Sequence, residues 1–407
     1  MMVHDDERRG SDSGGRSKRK ARGAGGGVGA RRLRILRDAS VTEVAQAARD
    51  LLSGGAPIFL HAGAGGEGIA QEIEDLGLLP AEAALLLRTS GTTSGTGRVV
   101  VCTLNSLLAS AGATEQALGG PGRWVTCLSP AHIAGFHTVF RSVVAGFEPI
   151  EAGHGSPEDL AHAALCADDG ERLYLSLVPT QLFRLLSSPH VPAARRFDGI
   201  LVGGAATPPE LLERARSAGL AVFTTYGMTE TCGGCVYNGK PIGNTDVSLS
   251  PSGNISISGD VVSWGYLGDE PFEGRFTTED IGRIEDGRLV VLGRADDAIT
   301  TGGMTVMPSI IEAEIMRLGY GQCVVVGIPD PEWGEAVVAI CDAELATRES
   351  EIRASLSAKL DRSYVPRKFV PLPALGFSEF PQRVTGKIDR ALLRRHLIRF
   401  GTTSQET

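Results

Sequence analysis

Residues 83–102 read Ala-Ala-Leu-Leu-Leu-Arg-Thr-Ser-Gly-Thr-Thr-Ser-Gly-Thr-Gly-Arg-Val-Val-Val-Cys. Two short apolar runs flank a segment made almost wholly of hydroxyl side chains, glycines and two arginines. Short apolar runs bounded by turn residues read as buried strands. Between them, hydroxyls and unhindered glycine backbone let N–H and O–H donors close around an anion, so a strand-loop-strand of this composition suits phosphates. A flexible Ser/Thr/Gly surface turn would have the same composition. The Gly-Lys-Ser/Thr ending of a Walker loop is absent.

Outward from this segment, strand-like runs at 57–60, 84–87, 98–102, 124–128, 173–178, 199–202 and 221–224 alternate with helical patterns, among them 42–52, 104–118 and 208–218. That alternation predicts an α/β fold. After Asn254 the texture turns to alternating β residues, with an Asp286-Gly287 turn before a strand at 288–292, as in a β-rich closing layer. Past Gly293 a smaller α+β unit is expected, with helices at 309–318 and 349–360, strands at 322–327 and 336–342, and a last helix after Asp389. No internal repeat is visible.

Length and charge narrow the class. A chain of 407 residues with 42% hydrophobic and 22% charged content is ordinary for a globular protein of two domains. No apolar run approaches the ~20 residues of a membrane span. Seven scattered cysteines without an apolar signal segment fit a reducing cytoplasm. Residues 1–34 hold ten Lys/Arg, four acids and eight glycines, so this leader is expected to be disordered. It reads as a basic arm, a solvated tail or an upstream extension of the start. The remaining chain is strongly acidic, which argues against nucleic acid as the main partner. Neither a nucleic-acid nor a membrane partner is expected, and a homo-oligomer is left open. The expected divisions are a leader at 1–34, a large domain at 35–295 and a small one at 296–400.

Four further segments follow in order: Tyr226-Gly227-Met228-Thr229-Glu230-Thr231, Thr277-Thr278-Glu279-Asp280-Ile281-Gly282, Gly293-Arg294-Ala295-Asp296-Asp297 with Thr301-Gly302-Gly303, and Val384-Thr385-Gly386-Lys387-Ile388-Asp389-Arg390. An aromatic face can stack on a purine, a hydroxyl can bind phosphate, and a carboxylate can hold Mg²⁺ whose other ligands are phosphate and water. Each segment alone is weak. As an ordered set over most of the chain, they resemble the adenylate-forming superfamily of acyl-CoA synthetases, luciferases and adenylation domains. Within it, residues 225–239 (TYGMTETCGGCVYNG), 176–182 (SLVPTQL) and 132–135 (HIAG) resemble the o-succinylbenzoate:CoA ligases of menaquinone biosynthesis, and so does the short segment ahead of the hydroxyl loop.

The resemblance implies a large N-terminal domain of mixed sheets and helices, a small mobile α+β C-terminal domain, and an AMP-forming acid:CoA ligase using ATP, Mg²⁺ and coenzyme A. It implies that Thr229 and the loop residues Thr89, Ser90, Gly91, Thr92 and Thr93 bind phosphates, that Tyr226 stacks on the adenine, and that Arg98, Gly204 and Gly227 also bind the nucleotide. Glu230 would hold Mg²⁺, Asp280 the ribose hydroxyls with Arg294 nearby, and Lys387 would enter only for adenylation. Asp296 would be the hinge, and Gly302 and Gly303 would lie against CoA. A dianionic substrate also needs a second donor set, for which His132 or Arg141 is available, although each also reads as plain core.

Several residues cut across this reading. The family's Thr-Gly-X-Pro-Lys-Gly is altered here: Ser94 stands for the first glycine, Thr96 for the proline and Gly97 for the lysine. Arg98 is then the only cation, and the loop is either serviceable or weakened. Gly63-Ala64-Gly65-Gly66-Glu67-Gly68 fits G-x-G-x-x-G, which by itself would suggest a dinucleotide-dependent oxidoreductase, although such a pattern is common in a chain with 53 glycines. Cys232 and Cys235 have redox or zinc spacing without a second ligand pair; small residues in a tight loop is the other reading. A ligase for another acyl or aryl acid, and a non-catalytic nucleotide-binding relative, remain as alternatives.

Overall fold

The computed structural model describes residues 33–63, 68, 71, 73, 79–89, 97–168, 170–382 and 388–403. Four sheets organise them. In the first, strands Arg34–Arg37, Ile58–His61, Ala83–Arg88, Val99–Thr103 and Gly265–Tyr266 lie side by side in that order. The first three are parallel, and the fourth turns back antiparallel with Leu86 opposite Val101. The hydroxyl-rich segment therefore leaves and re-enters one sheet at neighbouring strand ends.

The second sheet has the order Lys240–Pro241, Gly233–Tyr237, Val222–Met228, Gly199–Val202, Leu173–Leu177, Arg123–Thr126, Ile150–Glu151. The last five are parallel, and the two central ones, Gly199–Val202 and Leu173–Leu177, are buried throughout, as expected for strands covered on both faces. Helices Leu104–Leu118 and Ile133–Val144 fill the space between the two sheets. Leu107 and Ala111 of the former join the first sheet's core with Phe136, Val139 and Phe140 of the latter, while Ala113 and Leu118 pack with Trp124, Tyr174 and Tyr237 of the second sheet. Helices Pro157–Ala164, Pro179–Leu186 and Pro209–Ser217 cover the other face.

A third, antiparallel sheet of strands Asp246–Leu249, Asn254–Ser258, Arg275–Glu285 and Arg288–Arg294 supplies the expected closing layer. Asp286 and Gly287, both with positive φ, form its turn as read from the sequence. The fourth sheet uses only residues 299–371. Its strands Cys323–Asp330 and Gly334–Cys341 alternate between two cores. Val325, Val337 and Ala339 face helices Pro308–Arg317 and Glu349–Ser357, while Val324, Val326, Val338 and Ile340 face helix Arg390–Thr403.

Three expectations change. Residues 1–32 of the leader lie outside the described residues, but Leu33 is buried and Arg34 already pairs with Ile58 and bonds Asp50 at 2.7 Å, so ordered structure starts before 35. The strand expected at 221–224 runs on to Met228 and takes Tyr226 and Gly227 into the sheet. The alternating β residues expected after Asn254 are interrupted at Val261 and Val262, which lie in a turn.

Phe136 is fully buried and stacked on Phe140 at 5.4 Å, whereas Phe183 on helix Pro179–Leu186 is half exposed. Phe136→Ala is expected to cost about 3–5 kcal/mol of unfolding free energy and Phe183→Ala at most about 0.5 kcal/mol, compared by urea titration of each variant.

Candidate active site

The carboxyl ends of parallel strands are where open α/β sheets place ligands, because the chain leaves each strand there and backbone groups become free. In the second sheet four expected residues meet at that edge. His132 follows strand Arg123–Thr126, Gly204 follows Gly199–Val202, and Tyr226 and Gly227 close strand Val222–Met228. Thr229 and Glu230 continue into a one-turn 3-10 helix, Thr229–Thr231. Gly204 takes φ +79°, and a Cβ there would stand 3.7 Å from Val178.

The turn after Tyr226 depends on a close approach. A Cβ on Gly227 would stand 2.1 Å from the Gly233 carbonyl oxygen, so only glycine lets strand Gly233–Tyr237 fold back this tightly. Thr231 Oγ1 accepts from Met228 N–H at 3.0 Å and donates to Gly233 O at 2.9 Å, and Ser110 donates to Cys232 O at 2.7 Å. These bonds hold the turn and present Glu230, which is buried. Its carboxylate accepts from Tyr266 Oη–H at 2.8 Å, and its backbone carbonyl accepts from Ser263 N–H at 2.8 Å.

On the facing third sheet, Asp280 and Arg294 are opposite each other across the ladder. Tyr226 Oη–H donates to Asp280 Oδ2 at 2.8 Å, and Arg294 Nη1 lies 3.9 Å from Asp280 Oδ1. Arg294 also grips Asp296 with two bonds of 2.7 and 2.9 Å. Burial and the Asp280 charge push the Tyr226 hydroxyl well above the ordinary tyrosine range, so it stays a donor. Tyr226, Asp280, Arg294 and Asp296 are thus linked across two sheets into the turn at 295–297, by hydrogen bonds at either end and an ion pair of 3.9 Å between Asp280 and Arg294.

At the hydroxyl loop, Thr89 N–H donates to Arg98 O at 2.8 Å and Thr89 Oγ1 accepts from Arg98 N–H at 3.1 Å. Ser90, Gly91, Thr92 and Thr93 lie outside the described residues. Where the family carries lysine, Gly97 is so close to Thr89 that a Cβ would stand 1.6 Å from its carbonyl oxygen. Arg98 pairs with Asp269 and lies 3.4 Å over the Tyr266 ring. Lys387 also lies outside the described residues. Beside it, Gln382 and Ile388 form an antiparallel bridge, and Arg390 donates to Glu312 Oε1 and Val325 O at 2.5 Å each.

The AMP-binding enzyme family matches residues 36–260. A probable 2-succinylbenzoate–CoA ligase of Mycobacterium tuberculosis is 38% identical over 343 residues, 80% of this chain and 86% of that protein. The chain belongs to the AMP-binding enzyme family. A 2-succinylbenzoate–CoA ligase of Listeria monocytogenes is 30% identical over 77% of this chain and 70% of its own length. The fold matches o-succinylbenzoate CoA synthetase of Bacillus subtilis in complex with its acyl-adenylate intermediate, at TM-score 0.69 and 24% identity over 89% of this chain and 87% of that one. ATP-bound MatB of Rhodopseudomonas palustris matches at TM-score 0.74 and 20% identity over 90% and 88%.

The remaining candidates separate within this AMP-binding enzyme. Arg141 is not with the others: helix Ile133–Val144 runs back along the sheet, and Arg141 packs against Tyr237 and 5.0 Å over Trp124, near the amino ends of the parallel strands. His132 stays at the carboxyl edge, at the start of that helix. His137, one turn before Arg141, is fully buried, and burial beside Arg141 holds it neutral. Gly302 and Gly303, with φ +56° and +78°, are the two-residue turn between strands Ile299–Thr301 and Met304–Val306, and the Trp333 ring covers Gly302. Of the G-x-G-x-x-G stretch, 64–67 lie outside the described residues, and the family match includes the whole stretch, which removes the oxidoreductase reading.

Cys232 and Cys235 point apart: one contacts Ser106 Oγ at 3.2 Å and the other Tyr226 O at 3.8 Å, each in its own core. Among the described residues no group of three or more His, Cys, Asp or Glu is placed to hold a metal. Tyr266 and Asp269, which no sequence motif singled out, are additions made by the structure.

Two outcomes follow from this geometry. Gly227→Ala would displace the Thr-Glu turn by about the depth of a methyl group, with an expected loss on the order of 100-fold in kcat/KM, read in a steady-state AMP-release assay beside a thermal melt. Burial raises the Cys127 and Cys235 thiols to about 12, whereas Cys166 is exposed, so alkylation at pH 8 followed by peptide mapping should label Cys166 first and leave Cys232 and Cys235 unmodified.

Proposed function

We propose that this AMP-binding enzyme is an ATP-dependent o-succinylbenzoate:CoA ligase that works through an acyl-adenylate. The observation that carries the reading is the joining of Tyr226 to Asp280 by a hydrogen bond and of Asp280 to Arg294 by an ion pair, near the buried carboxylate of Glu230. The names of the relatives at 38% and 30% identity supply the substrate.

Each residue has a role that its surroundings permit. Tyr226 offers its ring to adenine while its hydroxyl is tied to Asp280, and Asp280 and Arg294 receive the ribose hydroxyls. Thr229 and the loop residues Thr89, Ser90, Gly91, Thr92 and Thr93 donate to phosphates, with Arg98 nearby in place of the lysine missing at 97. A Mg²⁺ held by one carboxylate, Glu230, and otherwise by phosphate and water fits a site where the described residues offer no protein-only metal cage. Bound there, the ion supplies positive charge against the triphosphate.

In the first half-reaction a substrate carboxylate oxygen attacks the α-phosphorus and pyrophosphate leaves. Negative charge accumulates at the phosphate, and the Lys387 ammonium is the chain's answer to it. In the second, the CoA sulfur attacks the acyl carbon and AMP leaves. Withdrawal of Lys387 by rotation of a small domain at 296–400 about Asp296 would break the Arg294–Asp296 pair and bring the Gly302-Gly303 turn toward the pantetheine. His132, at the carboxyl edge and at a helix N-terminus, is the donor for the substrate's second carboxylate. Arg141, on the same helix, would anchor its far end against Trp124 and Tyr237. Seven free cysteines and the absence among the described residues of a helix able to cross a membrane agree with a cytoplasmic enzyme.

The test couples Mg-ATP, CoA and o-succinylbenzoate, with benzoate and a medium-chain fatty acid alongside. Selective AMP and thioester formation with o-succinylbenzoate is expected. Activity with only a control acid would keep the ligase and discard the substrate, and no AMP with any acid would leave a nucleotide-binding relative. Lys387→Ala should abolish adenylation and spare thioester formation from supplied acyl-adenylate; equal loss of both would refute the moving-lysine mechanism.

A further inference from the structure

The buried carboxylate of Glu230 has, among the described residues, one hydrogen-bond donor, the Tyr266 hydroxyl at 2.8 Å. Tyr266 lies on the two-residue strand Gly265–Tyr266, pairing with Val100 on the strand that leaves the hydroxyl loop. Phe272 and Phe276 meet its ring edge-on, with centroids at 5.1 and 6.3 Å, and fix its plane. On the open face lies the Arg98 guanidinium, 3.4 Å from the ring centroid and paired with Asp269.

The arrangement connects the cation beside the phosphate loop to the carboxylate beside the Thr-Glu turn through a single aromatic side chain. A carboxylate with two oxygens, one of them held, has a defined direction for the other. An arginine stacked on a ring keeps its charge while losing much of its rotational freedom.

We propose that Tyr266 is a positioning residue for nucleotide binding: its hydroxyl fixes one oxygen of Glu230 so that the other points at the metal of Mg-ATP, and its ring face seats Arg98 as the loop's replacement cation. The inference rests on the reading of Glu230 as the metal carboxylate. Because Gly97 has no room for a side chain, the stacked Arg98 supplies from the adjacent strand the charge that a loop lysine would have brought.

The decisive variant is Tyr266→Phe, which keeps the ring under Arg98 and removes only the hydroxyl. Binding of Mn²⁺-ATP to the full-length protein, followed by the electron paramagnetic resonance of Mn²⁺, gives a readout independent of turnover, and metal-free ATP serves as its reference. Tyr266→Phe is expected to weaken Mn²⁺-ATP about tenfold, as loss of one charge-assisted hydrogen bond does, with metal-free ATP unchanged. In the Tyr266→Phe, Glu230→Gln double variant the effects should not add, because both act through one carboxylate. Arg98→Met should instead weaken ATP with and without metal. Wild-type Mn²⁺-ATP affinity in Tyr266→Phe, with Glu230→Gln weakened, would overturn the role of Tyr266 alone. Wild-type affinity in Glu230→Gln would overturn the metal reading and this inference with it. A lower melting temperature in Tyr266→Phe, with both affinities unchanged, would make Tyr266 purely structural.

Discussion

Glu230 places a carboxylate in the interior at the point where the first two sheets and the turn after strand Val222–Met228 meet. A desolvated carboxylate is tolerated only where donors replace its lost water. Tyr266 supplies one, and it can do so because its short strand is the last of the first sheet, paired to Val100 and Val101. Ser263 N–H binds the Glu230 backbone carbonyl from the same segment. The first and second sheets are thereby joined at the residue proposed to meet the metal, and the stem of the hydroxyl loop shares their frame.

A second junction complements the first. Tyr226 extends from the second sheet to Asp280 on the third, and Asp280 faces Arg294, which holds Asp296. Beyond it Asp297 lies 3.8 Å from Arg390, and Arg390 reaches Glu312 and the Val325 carbonyl. A continuous set of charged groups therefore leads from the proposed adenine site, through the turn at 295–297, to the residues flanking Lys387. Arg294 holds Asp296 and Arg390 lies by Asp297, so the proposed rotation at this turn would have to exchange partners rather than merely bend a loop, which favours two discrete arrangements over a continuum.

How far the chain could be read depends on how much of each element's environment is recorded in its own pattern. Helix Leu104–Leu118 was located to the residue because Thr103 caps it, with its Oγ1 accepting from Ser106 N–H at 3.0 Å, and Gly119 ends it. Helix Ile133–Val144 is absent from the helical patterns legible in the sequence, since residues on nearly every side of it are buried between two sheets and the 3.6-residue contrast is erased. Strand Arg275–Glu285 was quoted only as a motif. Of its eleven residues only Thr278 and Gly282 are buried, so it carries little of the apolar alternation that marks a strand.

By itself the sequence determined the class of fold, the order of the motifs and most of the residue types proposed to face the nucleotide, because strand, turn and glycine signals are local and survive without the rest of the chain. Only the tertiary structure decided which of those residues meet. Tyr226 and Asp280 are 54 positions apart and Glu230 and Tyr266 are 36, and neither contact leaves a trace in spacing or periodicity. It also placed Arg141 near the amino ends of the parallel strands while leaving His132 at their carboxyl edge, since the direction in which a helix runs back across its sheet is set by packing between layers. Tyr266 was invisible beforehand for the same reason: its importance comes wholly from what lies on either side of its ring.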